Sequence, residues 1–162
     1  MKINRLLFNN PDYFLEGDFD FSSFEFDPYH IREIKKCHAL IKGSIYEDLL
    51  MLNIKIDADV VGVCAYTLDD VPLHLDIQEE IDISNEIEDD DNLYFEKNNI
   101  FDIDPYILSL VIANVPSILI KEGAKLPENG DGYRVLTEEE YEEEQKHKTD
   151  SRWDALDDIE LD

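Results

Sequence analysis

The sequence predicts an α+β protein: an antiparallel β-sheet-rich core that could curl into a partial barrel, a short helix near residues 105–113, and an acidic helical C-terminal extension. Three observations point there. Two long stretches alternate apolar and polar residues with a period of two, a later stretch switches to helical spacing, and acidic residues gather on either side of that helix.

Taken in order, Ile31, Cys37, Ala39, Ile41 and Ile45 form a weak odd-numbered stripe, so residues 31–45 are expected as a strand or bent strand pair of the same sheet. Leu50, Leu52, Ile54, Ile56, Ala58 and Val60 alternate strictly, with Asn53, Lys55, Asp57 and Asp59 on the opposite face. This is the clearest strand in the chain. Val71, Leu73, Leu75 and Ile77 alternate again before Ile81 and Ile83, and residues 67–70 (TLDD) between the runs are turn-prone, which predicts a long antiparallel hairpin. Four or more sequential strands favour an antiparallel sheet. Residues 86–92 (EIEDDDN) read as a solvated loop.

The period then changes. In FDIDPYILSLVIANVP, Asp104 is the expected N-cap and Pro105 the first helical residue, while Ile107, Leu108, Val111 and Ile112 recur at helical spacing. Pro116 limits the helix, and residues 117–121 (SILIK) are β-branched enough to return to the sheet. KLPENGDGYRVL is a turn-rich connection. Thr137 and Glu140 then form a capping box, with Leu136 and Tyr141 as a hydrophobic staple, so a second helix is expected from Glu138. Its body, EEEYEEEQKHK, lacks an apolar stripe and belongs in solvent. The organisation is a single globular β-rich domain over 1–136 and an acidic, partly helical extension over 137–162, without internal repeats.

Among 162 residues, 40 are acidic and 14 basic, a formal charge of −26. Such a field repels phosphate, which argues against direct nucleic-acid binding and for a basic partner. Residues 1–61 hold 11 acids and 7 bases, 76–104 hold 12 and 1, and 137–162 hold 12 and 3. Arg32, Lys35 and Lys36 make one modest basic cluster, readable as sheet-edge gatekeepers. The longest apolar runs fall far short of the ~18 residues of a membrane span, and no signal-peptide cleavage site follows the N-terminus. Cys37 and Cys64 form neither a disulfide framework nor a zinc pair. A cytoplasmic protein with reduced thiols is expected.

Enzyme chemistry finds little support in the pattern. A nucleophile at Cys64 with His74 or His38 as base lacks any local motif, and a small buried thiol at the end of a strand accounts for it. The D-x-D pairs Asp18/Asp20, Asp57/Asp59 and Asp102/Asp104 would each place two carboxylates on one strand face. With 40 acids such pairs arise by chance, and no calcium-loop or H-E-x-x-H pattern accompanies them. Gly130 and Gly132 read as a turn rather than a phosphate loop, and His30, His38, His74 and His147 are dispersed. No catalytic residue, metal or cofactor is predicted.

The tail KTDSRWDALDDIELD is unusual because it holds the only tryptophan, and large apolar groups gain nothing in a solvated tail. Trp153, Leu156 and Ile159 at i, i+3 and i+6 would share one side of a short helix, edged by Asp154, Asp157 and Asp158. Such a turn either packs back on its own sheet or docks in a partner groove with Trp153 as anchor.

Four stretches in the same order resemble the YceD/YlbN family, bacterial and plastid proteins named for large-subunit ribosomal RNA accumulation. VGVCAYTLDDVPLHLDI looks like the family's central strand, cysteine and return strand, with Cys64 on its cysteine. IFDIDPYILSLVIANVPSILI is similar to its proline-bounded block, covering Ile103, Pro105 and Pro116, and KLPENGDGYRVLTEEEYEEE to the segment after it. TDSRWDAL resembles the closing D-P-R-[W/L]-x-x-L signature, with Asp150, Arg152, Trp153 and Leu156 on its positions. Ser151 replaces the signature's proline, and a second cysteine near Cys64 is absent, so no metal or redox role is carried over. The resemblance implies a role in large ribosomal subunit biogenesis, no established enzymatic activity, and association of the gene with that of a small basic large-subunit protein.

Charge and resemblance together predict a non-enzymatic factor that supports large-subunit ribosomal RNA accumulation by binding a basic ribosomal protein or a precursor particle. Glu138, Glu139 and Glu140 would supply the field, and Asp150, Arg152, Trp153 and Leu156 the contact. The alternative is an acidic nucleic-acid mimic that inhibits a nucleic-acid-binding protein, which requires evenly spaced surface carboxylates rather than charge concentrated in blocks.

Overall fold

The alternating stretch over residues 50–60 forms the central strand, flanked in space by its neighbours in sequence. The computed structural model describes residues 1–47, 49–86 and 93–146. In chain order these form β1 (Lys2–Asn4), a 3-10 helix (Arg5–Asn9), β2 (Phe14–Asp18), β3 (Ile31–Tyr46), β4 (Leu49–Val63), β5 (Asp70–Ser84), β6 (Leu93–Phe95), β7 (Ile100–Asp102), α1 (Asp104–Asn114) and α2 (Glu138–Lys146). Strands β2 to β6 make one five-stranded sheet in sequence order, and β1 pairs with β7 in a separate ribbon. All pairings are antiparallel except β5–β6, which is parallel.

The sheet is therefore mixed rather than purely antiparallel, and it is not closed into a partial barrel. Closure would require the edge strands β2 and β6 to pair with each other. They stand at opposite ends of the strand order and are five and three residues long, too little to wrap around three long strands.

Burial follows the alternation. On β4, Leu50, Leu52, Ile54, Ile56 and Ala58 are at most 1 % exposed. Across the ladders they meet Ala39 and Ile41 of β3 and Ile77, Ile81 and Ile83 of β5. Strand β3 keeps its apolar side inward through two irregularities, between Ile31 and Glu33 and between Ile34 and Lys36. Each inserts one residue and flips the parity, so Ile31, Ile34 and Cys37, three apart, are all buried. That spacing is why the stripe over 31–45 reads weakly as an alternation.

On α1, Ile107 and Val111 are fully buried, and the helix packs against β4 and β5. Pro105 lies at its start, but Asp104 is not the N-cap. Ile103 holds that position without a side-chain bond, and the Asp104 N–H donates to the Asp102 carboxylate at 3.2 Å. The Asp104 carboxylate is turned instead to the Met1 ammonium. Residues 117–121 do not rejoin the sheet as a strand: a single parallel bridge joins Leu119 to Cys64. Strand β4 is already paired on both sides, leaving only its end to contact, and Ile118 and Ile120 stay exposed.

The N-terminal elements complete the core. Phe8 is 1 % exposed and meets Tyr13 edge to face at 5.0 Å. Arg5 is 3 % exposed, and its guanidinium donates to the Ile83 carbonyl at 3.2 Å and the Glu96 carbonyl at 3.5 Å. The Glu96 carboxylate accepts the Tyr106 hydroxyl at 3.0 Å, and burial, followed by this bond, raises the Tyr106 pKa.

The chain divides into two compact units, Met1–Glu122 and Gly123–Asp162. Within the second, the Val135 N–H donates to the Asn129 side chain at 2.7 Å and a bridge joins Gly130 to Tyr133. Helix α2 opens on a reciprocal capping box. The Glu140 N–H donates to Thr137 Oγ1 at 3.1 Å, and the Thr137 N–H donates to the Glu140 carboxylate at 2.9 Å. Most of the acidic loop expected over 86–92 and the tail beyond 146 lie outside the described residues.

Candidate functional site

Of the predicted contact residues, Glu138, Glu139 and Glu140 occupy the first turn of α2, where negative charge complements the helix dipole, and no residue of this helix is buried. Asp150, Arg152, Trp153 and Leu156 lie outside the described residues.

The signature positions have structural settings. Cys64 is 0 % exposed at the end of β4, and its Sγ accepts the Lys121 N–H at 3.4 Å. That bond, followed by one with Thr67, lowers the thiol to about 7 against the opposing effect of burial. The neighbouring Ala65 N–H donates to the Leu119 carbonyl at 2.7 Å, and Lys121 Nζ reaches Asp69 at 3.0 Å. Gly62 is what lets this strap lie so close, since a Cβ there would fall 2.2 Å from the Leu119 side chain. Pro105 starts α1, and the Pro116 carbonyl lies 3.3 Å from a ring nitrogen of His30. Burial, helped by the nearby Asp18 and Asp57 carboxylates, pushes the other thiol, Cys37, up to about 11.

The outer face of β2–β5, opposite the core, carries a regular array of charged side chains. Cross-strand pairing sets Asp18, His38, Asp57 and Asp76 in one row and Lys36, Asp59 and His74 in the next. His38 meets Asp18 through Nδ1 at 2.7 Å and Glu16 through Nε2 at 3.1 Å. Lys36 Nζ donates to Asp57 at 2.9 Å, and His74 Nδ1 meets Asp59 at 2.9 Å. Hydrogen bonds to Asp18 and Glu16 raise the His38 pKa, the bond to Asp59 raises that of His74, and Lys36 holds the Asp57 carboxyl below the usual range. The two histidines considered as bases for Cys64 are thus engaged with carboxylates.

Among the described residues nine carboxylates share this face, from Glu16, Asp18, Glu33, Asp57, Asp59, Asp70, Asp76, Glu80 and Asp82, against Lys36, Lys42 and Lys55, with Lys35 and Arg32 reaching Glu33 and Asp70 at one end. With strands ~4.8 Å apart, the result is a net-anionic lattice on a rigid support. The D-x-D carboxylates have protein partners: Asp57 and Asp59 as described, Asp18 with His38, Asp20 with the Ser22 N–H at 2.9 Å, and Asp102 and Asp104 with the Met1 ammonium. Among the described residues no group of three or more His, Cys, Asp or Glu side chains is arranged to hold a metal ion. Sequence reasoning missed this lattice because it read charge by blocks along the chain; the D-x-D spacing on β4, with Glu16 and Asp18 likewise two apart on β2, was the available signal.

A family model described as large ribosomal RNA subunit accumulation protein YceD matches residues 52–160. The match takes in Cys64, both helices and the tail signature, and leaves out β1 to β3. No curated protein and no solved structure matches the chain.

Proposed function

Since the chain belongs to the YceD family of large ribosomal RNA subunit accumulation proteins, we propose that it is a cytoplasmic, non-enzymatic factor in large ribosomal subunit biogenesis that binds a basic ribosomal protein, free or on a precursor particle. The anionic lattice on β2–β5 carries this reading. A rigid acidic face steers a lysine-rich protein toward it and competes with that protein's non-specific RNA contacts until delivery. Glu138, Glu139 and Glu140 add a second acidic patch on α2, and Trp153 with Leu156, flanked by Asp150 and Arg152, an apolar contact in the tail. The regular cross-strand spacing of these carboxylates is also what a nucleic-acid mimic would need, but Lys36, Lys42 and Lys55 among them dilute the polyanionic charge on which such a mimic depends. No helix among the described residues is long and apolar enough to cross a membrane.

Sucrose-gradient fractionation tests the proposal. The protein is expected to co-migrate with large-subunit precursors at low salt and leave them as salt rises, and large-subunit RNA is expected to fall in its absence. A protein that stays at the top of the gradient, with large-subunit RNA unchanged by its loss, sinks the proposal. Recovery of large-subunit proteins should weaken with Asp57→Lys and Asp76→Lys together, and recovery unchanged after deleting 137–162 would remove the tail from the mechanism.

A further inference from the structure

A groove of about 350 Å³ lies between the loop following β2 and the start of α1, walled by Phe21, Phe24, Pro105 and Leu108 with Asp20 and Asp104 among its lining. That volume is near the lower end of the ~300–1,000 Å³ of ligand sites, enough for one large side chain. Phe24 is 46 % exposed even though its ring meets Phe26 edge to face at 4.8 Å. The loop bearing it is held by local hydrogen bonds: the Ser22 N–H donates to the Asp20 carboxylate at 2.9 Å, and the Phe24 N–H to the Phe21 carbonyl at 3.0 Å. The apolar wall is thus presented by a fixed turn.

Charge narrows the occupant. Asp20 and Asp104 are the charged residues of the lining, and among the described residues no lysine, arginine or histidine belongs to it. The Asp104 carboxylate is engaged by the Met1 ammonium, whereas the Ser22 N–H holds Asp20 ionised below the usual carboxylate range. An apolar group on an acidic segment would be repelled; one on a basic segment gains both burial and attraction.

We propose that this groove receives a single large apolar side chain from a lysine- or arginine-flanked segment of a protein partner. The inference rests on the basic-partner reading above and adds a position and an anchor to it. The loop wall lies outside the residues matched by the family model, so this contact belongs to the chain's own N-terminal part.

The test uses the full-length protein and two short lysine-rich peptides, one with a central phenylalanine and one with alanine in its place, measured by fluorescence anisotropy. The phenylalanine peptide is expected to bind ~10-fold or more tightly than its twin, the ratio expected for burying one aromatic side chain. Phe24→Ser should bring that ratio close to one with the unfolding midpoint little changed. Asp20→Asn, which retains the oxygen that accepts the Ser22 N–H, should weaken both peptides alike and leave the ratio intact. Equal affinities for the two peptides, a ratio that survives Phe24→Ser, or direct binding of an RNA oligonucleotide to the protein that Phe24→Ser abolishes would overturn the inference. So would self-association abolished by Phe24→Ser, which would seat a second copy there. If the peptides are not discriminated while salt-sensitive co-migration with precursors persists, the groove assignment fails alone; if co-migration is also lost, the basic-partner reading fails with it.

Discussion

Replacing Arg5 with methionine keeps an unbranched stem in the core and removes the guanidinium. In the native protein this group donates to the Ile83 carbonyl at 3.2 Å and, at the 3.5 Å margin, to the Glu96 carbonyl. A hydrogen bond from a charged donor contributes ~1.5–3 kcal/mol, and the longer one adds little. Opposing this loss is the relief of no longer desolvating a cation, which can dominate when both partners of a buried pair become apolar. Here the acceptors are backbone atoms and remain whatever replaces the arginine, so their unmet demand decides the sign. The expected destabilisation is ~2–3 kcal/mol, or roughly 4–12 °C in melting temperature for a chain of this length. Urea unfolding followed by far-UV circular dichroism reads it directly. A midpoint within ~0.5 kcal/mol of wild type at unchanged m-value would refute the reasoning, since surface substitutions fall in that range. Arg5→Lys should recover only part of the loss, because one guanidinium nitrogen, Nη2, makes both bonds, and a lysine ammonium is a more strongly hydrated cation to bury in its place.

Gly62→Ala should cost ~1–3 kcal/mol through overpacking against Leu119, with Leu119→Ala relieving part of it in a double-mutant cycle. The His38 pKa is raised in the folded state, so its contribution is fully present below the unfolded value of ~6.5 and fades as pH rises through the folded value. An NMR titration should place its midpoint above 6.5, and Asp18→Asn should bring that midpoint down. Thr137→Ala removes one arm of the capping box and should cost α2 ~1 kcal/mol, seen as faster amide exchange in that helix while protection in β4 is unchanged.

How much of this was legible depends on the range of the interaction responsible. Strands β4 and β5 could be read because their faces differ and their alternation runs for many residues, and α1 because its period changes beside a proline. The α2 start was readable because a capping box is a contact within four residues. Strands β1, β6 and β7 have three residues each, too few for periodicity to register. Arg5 looks like any surface arginine, and its burial depends on Ile83 and Glu96, 78 and 91 residues away. The anionic lattice required the β2–β3–β4–β5 register, which alternation implies only up to sliding by pairs of residues. Cys64 was expected to be a buried thiol and is one, but the strap that covers it was taken for a strand.

Strand β1 pairs with β7, so Lys2 meets Asp102 across about 100 intervening residues. During translation the opening segment leaves the ribosome first and then waits for its partner, roughly 5–20 s at ~5–20 residues per second. Strands β2 to β5, each adjacent to its sequence neighbour, can associate meanwhile, because short loops close early. The nascent chain therefore passes through a stage in which the meander exists while Ile3 still lacks Phe101, its partner across β1 and β7. Stalled or truncated products ending before residue 102 would keep that apolar side uncovered and become the form chaperones and proteases meet.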